Sequence, residues 1–127
     1  MQGFGKLIDN NNIVTVLVMN YAITYYSDDV EADVMDLPKT LQSRYISLTL
    51  RMKTDGANLG EPHTQPLGGG LFELRLKGAE GIARVFYCTF VGRRIVMLHS
   101  FIKKSQKTPP KERRIAETRM KEVKNEH

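Results

Sequence analysis

The chain predicts an α+β fold: a first strand, a helical hairpin, a three-stranded antiparallel meander and a C-terminal helix. Three observations predict it. Residues 71–102 hold three apolar or alternating runs split by short glycine-bearing turns, the pattern of consecutive antiparallel strands. Leu41, Tyr45, Leu48 and Met52 recur at intervals of four, three and four, the period of an amphipathic helix. Pro109 and Pro110 stop the last strand and open another helix, because proline fits the first helical turn but not a continuing ladder.

In chain order, residues 1–18 read as an extension set apart from the rest of the chain. Met1–Gly5 and Asp9–Asn12 are turn-rich and match no helical period, while Ile13–Val18 reads as a strand. Met19 stands where a second start would fall, so the domain proper is expected over 19–127 and the extension is expected to be dispensable. Tyr21–Tyr26 is the first strand of that domain by its aromatic and β-branched content. Ser27 and Asp28, with Glu31 three residues after Asp28, form a capping-box pattern for a short helix whose apolar face is Val30 and Val34. Leu37-Pro38 separates it from the helix of Leu41–Met52, which Asp55-Gly56 closes. Asn58–Gly70, with two prolines and four glycines, reads as loop. In Leu71–Lys77, Phe72, Leu74 and Leu76 face one way and Glu73, Arg75 and Lys77 the other, a half-buried strand. Ile82–Val91 is apolar on both faces except at Arg84, and Ile95–Ile102 completes the meander after a turn at Gly92–Arg94. Thr108 is the expected cap of the last helix, whose narrow apolar stripe is Ala116, Met120 and Val123.

Composition narrows the function classes. The 127 residues are 41% hydrophobic and 26% charged, ordinary for one globular domain with a real core. One cysteine, Cys88, forbids an internal disulfide and sits in an apolar run, where packing is its role. No apolar run reaches the roughly 20 residues that span a bilayer, and a soluble, cytoplasmic protein is expected. The three histidines show no metal-ligand spacing, and Gly68–Gly70 lacks the Gly-Lys-Ser/Thr of a phosphate-cradling loop. The net charge of +5 is uneven: residues 93–127 hold eleven Lys or Arg against four acids, and residues 1–92 hold eight against ten. Such a basic third suits a polyanion or an acidic protein partner.

Two places carry candidate chemistry. The segment His99–Pro110 crowds Lys103, Lys104 and Lys107 at a strand end, which is either a solvated loop or an anion site on a rigid sheet. Arg84 interrupts an apolar strand and needs a partner. It is either ion-paired with Glu73 or another acid, or it faces a phosphate, for which its always-charged fork is suited. Arg75 on the neighbouring strand can lie beside it.

Leu67–Arg75, Ala83–Tyr87 and Ile95–Pro109 come in that order at short spacings. Together they resemble the phage-derived, HigB-type toxins of the RelE/ParE superfamily, over about residues 21–123. The resemblance implies a RelE-like α+β fold and toxicity through cleavage of messenger RNA, often on the translating ribosome. It also implies a helix-turn-helix antitoxin as partner, with no membrane, metal or small-molecule cofactor. Attack by the RNA 2′-hydroxyl on the adjacent phosphorus requires proton removal, stabilisation of phosphoryl charge and protonation of the leaving 5′-oxygen. On this reading Arg84 stabilises charge with Arg75 in support, and Lys103 or Lys104 transfers a proton or contacts phosphate. Lys77, Lys107, Arg113 and Arg114 guide RNA or the ribosome. The chain departs from many ribonuclease relatives in having no tyrosine after Tyr87. Two other classes remain open: a ParE-like toxin that binds gyrase, and an inactive nucleic-acid- or protein-binding module.

Overall fold

The computed structural model describes residues 3–9, 12–18, 20–90, 93–105 and 107–126. Met19, the expected second start, and Gly92 in the expected turn lie outside the described residues. Strands β1 (Gly3–Asp9) and β2 (Asn12–Val18) pair antiparallel as a separate two-stranded sheet. The strand expected at Ile13–Val18 is therefore present, and Gly3–Asp9 is its partner, so Gly3–Gly5, Asp9 and Asn12, read as turn, are in strands.

The remaining strands build one sheet of five, in the order β3-β7-β6-β5-β4. They are β3 (Ala22–Tyr25), β4 (Thr64–Gly68), β5 (Leu71–Gly78), β6 (Gly81–Phe90) and β7 (Arg94–Ile102). The expected meander is β5-β6-β7, each pair antiparallel. Two strands extend it. β3 joins the far side parallel to β7, with Ile23 opposite Ile95. β4 corrects the reading of Asn58–Gly70 as loop: Thr64–Gly68 pairs with β5, with Gln65 opposite Glu73. Pro66 and the glycines hid it, and proline is tolerated there because β4 is an edge strand. Gly68, Gly69 and Gly70 all have positive φ, which explains a glycine triplet in the β4–β5 turn.

Both faces of the sheet are packed. Helices α1 (Asp28–Met35) and α2 (Lys39–Asp55) lie against β7 and β5 respectively. Val30, Val34, Leu41, Tyr45, Leu48 and Met52 bury against Leu74, Leu76, Ala83, Val85, Ile95 and Met97. Each large apolar side chain so buried contributes about 1.5–3 kcal/mol. The cap of α1 lies one residue earlier than the Asp28–Glu31 pattern suggests: Ser27 Oγ accepts from Val30 N–H at 3.2 Å. The N-terminus of α2 has no side-chain cap of its own, and a distant residue supplies it. Glu80, in the β5–β6 turn, accepts from Thr40 N–H at 2.8 Å, while Glu80 N–H donates to Thr40 Oγ1 at 3.2 Å. A carboxylate suits the positive end of a helix. Gly78 must be glycine for this approach, since a Cβ there would stand 2.5 Å from Thr40 Oγ1.

Helix α3 (Pro110–Asn125) covers part of the opposite face, where Ala116 and Val123 meet Leu71, Phe86, Cys88, Val96 and Leu98. The residue before α3 is Pro109, and Thr108 does not cap it. The Thr108 hydroxyl donates instead to Glu73 at 3.3 Å. Among the described residues, no helix is long and apolar enough to cross a membrane.

Candidate RNA-phosphate site

Side chains alternate along β5 and β6, so the face holding Leu71 and Phe86 also holds Glu73, Arg75 and Arg84. α3 packs over Leu71 and Phe86, and Phe86 also lines the edge of the space beyond the helix. Beyond its N-terminus the face is open, and its side chains turn from apolar to cationic.

Register makes Arg75 and Arg84 direct cross-strand partners. Like charges placed so oppose folding by roughly 0.2–1 kcal/mol, so the pair calls for compensation. Glu73 supplies it. Its buried carboxylate lies 3.3 Å from Arg75 Nε and 3.6 Å from Arg84 Nε. Both readings of Arg84 therefore meet: it is ion-paired with Glu73, and it also faces an open groove. The compensation is incomplete. Arg84 Nε is buried without a hydrogen bond, although Arg84 Nη1 donates to the Ala83 carbonyl at 3.3 Å. Burial lowers the Arg84 pKa, the Arg75 charge adds to this, and Glu73 opposes it. Arg75 is the more exposed of the two and is held by Glu61 at 3.2 Å and by Gln65.

Lys103 reaches the same place from the end of β7, its N–H donating to the Ile82 carbonyl at 2.8 Å. Desolvation lowers its pKa, and the charges of Arg84 and Arg75 push the same way against the pull of Glu73. Glu73, Arg75, Arg84, Lys103, Thr108 and Arg113 surround a pocket of about 430 Å³. A second pocket of about 290 Å³ adjoins it across Arg75 and Arg84, and Arg44, His63 and Lys77 line its far side. The two form one groove with the arginine pair as their common wall.

The structure thus brings Arg75, Arg84, Lys103, Lys77 and Arg113 to the groove. Arg113 is partly engaged, donating to the Leu67 carbonyl at 3.0 Å and lying 3.5 Å from Glu117. Lys104 and Lys107 are exposed and are not among the groove's lining residues. Arg114 lies elsewhere, on the outer side of α3 with Tyr26, Lys111 and Arg119. Sequence reasoning missed Arg44, His63 and Gln65. Arg44 lies off the apolar stripe of α2, and only the fold shows that this side of the helix borders the groove.

Other chemistry finds little support in the arrangement. His99 Nε2 lies 2.9 Å from Glu112 Oε1 and ties β7 to the first turn of α3. Cys88 is fully buried, and burial pushes its thiol pKa up, away from a nucleophilic thiolate. Among the described residues, no three His, Cys, Asp or Glu side chains are grouped to hold a metal ion.

A family model described as phage derived protein Gp49-like matches residues 32–121, from α1 into α3, and so contains every groove residue named above. No curated protein matches the chain. The matched stretch is well over half of the sequence, and the Gp49-like proteins are RelE/HigB-like toxins. The chain belongs to the phage-derived Gp49-like family, a branch of the RelE/HigB-like toxins of toxin-antitoxin systems.

Proposed function

We propose that the protein is an endoribonuclease toxin that cleaves messenger RNA on the translating ribosome by attack of the 2′-hydroxyl on the adjacent phosphate. The observation that carries this reading is the cross-strand Arg75–Arg84 pair with Lys103 beside it in an open groove. Cations set this close oppose one another until a polyanion occupies the groove, and the attacked phosphoryl group gains negative charge as it reacts.

The roles follow from the chemistry of each group. Arg84, rigid on the sheet and always charged, holds the phosphoryl oxygens as charge builds on them, and Arg75 supports it. Lys103 is the proton-transfer group, because its lowered pKa makes the neutral amine more accessible than in an ordinary lysine. Neutral Lys103 takes the 2′-hydroxyl proton. The oxygen bonds to phosphorus, the bond to the 5′-oxygen breaks, and that oxygen gains a proton from solvent. The products are a 2′,3′-cyclic phosphate and a 5′-hydroxyl. Glu73 holds the two arginines in place, and Lys77 and Arg44 attract the flanking backbone. A helix-turn-helix antitoxin is the expected neutralising partner.

The test is induced expression in bacteria with mapping of transcript 5′ ends. Codon-phased cuts with wild type, and none with folded Arg84→Ala, are expected. A DNA-damage response without cuts would instead identify gyrase as the target, and no phenotype would mark an inactive binding module.

A further inference from the structure

Cleavage by the 2′-hydroxyl needs two proton transfers on opposite sides of one phosphorus, because the attacking and leaving oxygens lie roughly in line. A base stands beside the 2′-oxygen and an acid beside the 5′-oxygen. Lys103 serves the first. The register of the sheet shows which side chain stands across the phosphate site from it.

Arg75 N–H donates to the His63 carbonyl at 2.8 Å, which sets His63 opposite Arg75 at the start of β4. The register continues with Thr64 opposite Leu74 and Gln65 opposite Glu73. Thr64 is fully buried, on the face away from the groove, and its neighbours His63 and Gln65 face the groove. Arg75 is in turn opposite Arg84, and Arg84 is opposite Phe101 on β7. One cross-strand row therefore runs His63, Arg75, Arg84, Phe101, with Lys103 two residues beyond Phe101. The row spans three strand spacings, roughly 14 Å, with the arginine pair in the middle. His63 lines the smaller half of the groove and Lys103 the larger. A phosphoryl group held by the arginines has Lys103 on one side and His63 on the other.

The smaller half also holds Arg44 and Lys77, but neither residue type suits an acid here. A guanidinium does not give up its proton, and an ammonium gives it up reluctantly near neutral pH. An imidazolium changes charge in the neutral range, where acid catalysis is most efficient. Glu61, two residues before His63, lies 3.2 Å from Arg75 and does not line this half.

We infer that His63 is the acid of the cleavage step and protonates the leaving 5′-oxygen. This rests on the RNA-cleavage reading and adds to it the second proton-transfer group. As the bond from phosphorus to the 5′-oxygen breaks, the imidazolium gives its N–H proton to that oxygen and becomes neutral. Lys103 has by then gained the 2′-hydroxyl proton. Solvent returns a proton to His63 and takes one from Lys103, so both are reset and solvent remains the ultimate source of the proton on the leaving oxygen.

A transcript with sulfur in place of the 5′-oxygen at the mapped cleavage site tests this, because a thiolate leaves without being protonated. In a reconstituted translation reaction, His63→Ala and His63→Gln should cut the ordinary transcript about 10²-fold more slowly than wild type. Both should cut the sulfur transcript at close to the wild-type rate. Lys103→Ala should stay slow on both, since sulfur does not replace the base. Equal slowing of the His63 variants on the two transcripts would mark a role in positioning alone and overturn the inference. So would wild-type rates of both variants on the ordinary transcript. Either result leaves Arg84-dependent cleavage standing. A wild-type protein that cuts neither transcript would overturn the cleavage reading and this inference with it.

Discussion

One face of one sheet carries two different surfaces. On β5, Leu71 lies under α3 while Arg75, four residues on, lies in the open groove. On β6, Cys88 is buried under α3, Phe86 lies at the boundary and lines the groove edge, and Arg84 borders the groove. β7 repeats the pattern, with Val96 and Leu98 covered and Lys103, just past its end, open. The same strands, in the same alternation, are apolar where the helix covers them and gather Arg75, Arg84, Lys77 and Lys103 where it does not. The boundary is Pro110, the first residue of α3 and a wall of the groove. Packing explains the covered half completely. It does not explain the open half, where a like-charged pair stands in direct register around a single buried carboxylate.

Substitutions in the two halves should therefore fail in different ways. The largest effect is expected from Arg84→Ala. Loss of one group that stabilises developing charge costs about 10²–10³ in rate, on the order of 3–4 kcal/mol. Transcript cleavage should fall by that factor while the melting temperature stays close to wild type, because a like-charge contact is lost along with the ion pair. Leu98→Ala, in the covered half, should do the reverse. Emptying a fully buried leucine site costs about 2–5 kcal/mol of stability. Thermal denaturation should show the loss, and cleavage per folded molecule should persist. A melting loss for Arg84→Ala as large as that for Leu98→Ala would dissolve the distinction.

A smaller effect concerns protonation. Neutral Lys103 becomes more populated as pH rises through its lowered pKa, so the cleavage rate should climb through that range and level off above it. Lys103→Arg keeps the charge but cannot lose its proton, so it should bind RNA and show no such rise. Lys104→Ala, outside the groove lining, should lower the rate far less than Lys103→Ala. A pH profile of single-turnover cleavage for each variant decides this. The smallest effect is expected at the N-terminus. A chain beginning at Met19, without the β1–β2 hairpin, should arrest growth as the full chain does, since β1 and β2 share no ladder with the sheet that carries the groove. Loss of toxicity from a folded truncated chain would show that the extension takes part.

Much of the fold was legible in local pattern. The alternation of Phe72, Leu74 and Leu76 against Glu73, Arg75 and Lys77 assigned the faces of β5 correctly, and the spacing of Leu41, Tyr45, Leu48 and Met52 assigned the buried side of α2. Arg84 stood out because charge in an apolar strand must have a reason. The parts that escaped depend on contacts distant in sequence. β4 is a strand because β5 pairs with it, not because Thr64-Gln-Pro-Leu-Gly68 favours extension. Thr108 has the residue type of a helix cap, but the buried Glu73 carboxylate takes its hydroxyl. Arg44 and His63 border the groove through the way α2 and the loop before β4 pack, which no local pattern encodes.

The central claim is that the open half of this face cleaves RNA at a phosphate held by Arg84. Its most direct test is a reconstituted translation reaction on a defined transcript, with and without a single 2′-deoxyribonucleotide at the mapped cleavage site. Cleavage of the all-ribose transcript to a 2′,3′-cyclic phosphate and a 5′-hydroxyl is predicted, with no cleavage at the deoxy position and neither product from Arg84→Ala. Equal cutting of the deoxy-substituted transcript, or full activity of Arg84→Ala, would contradict it.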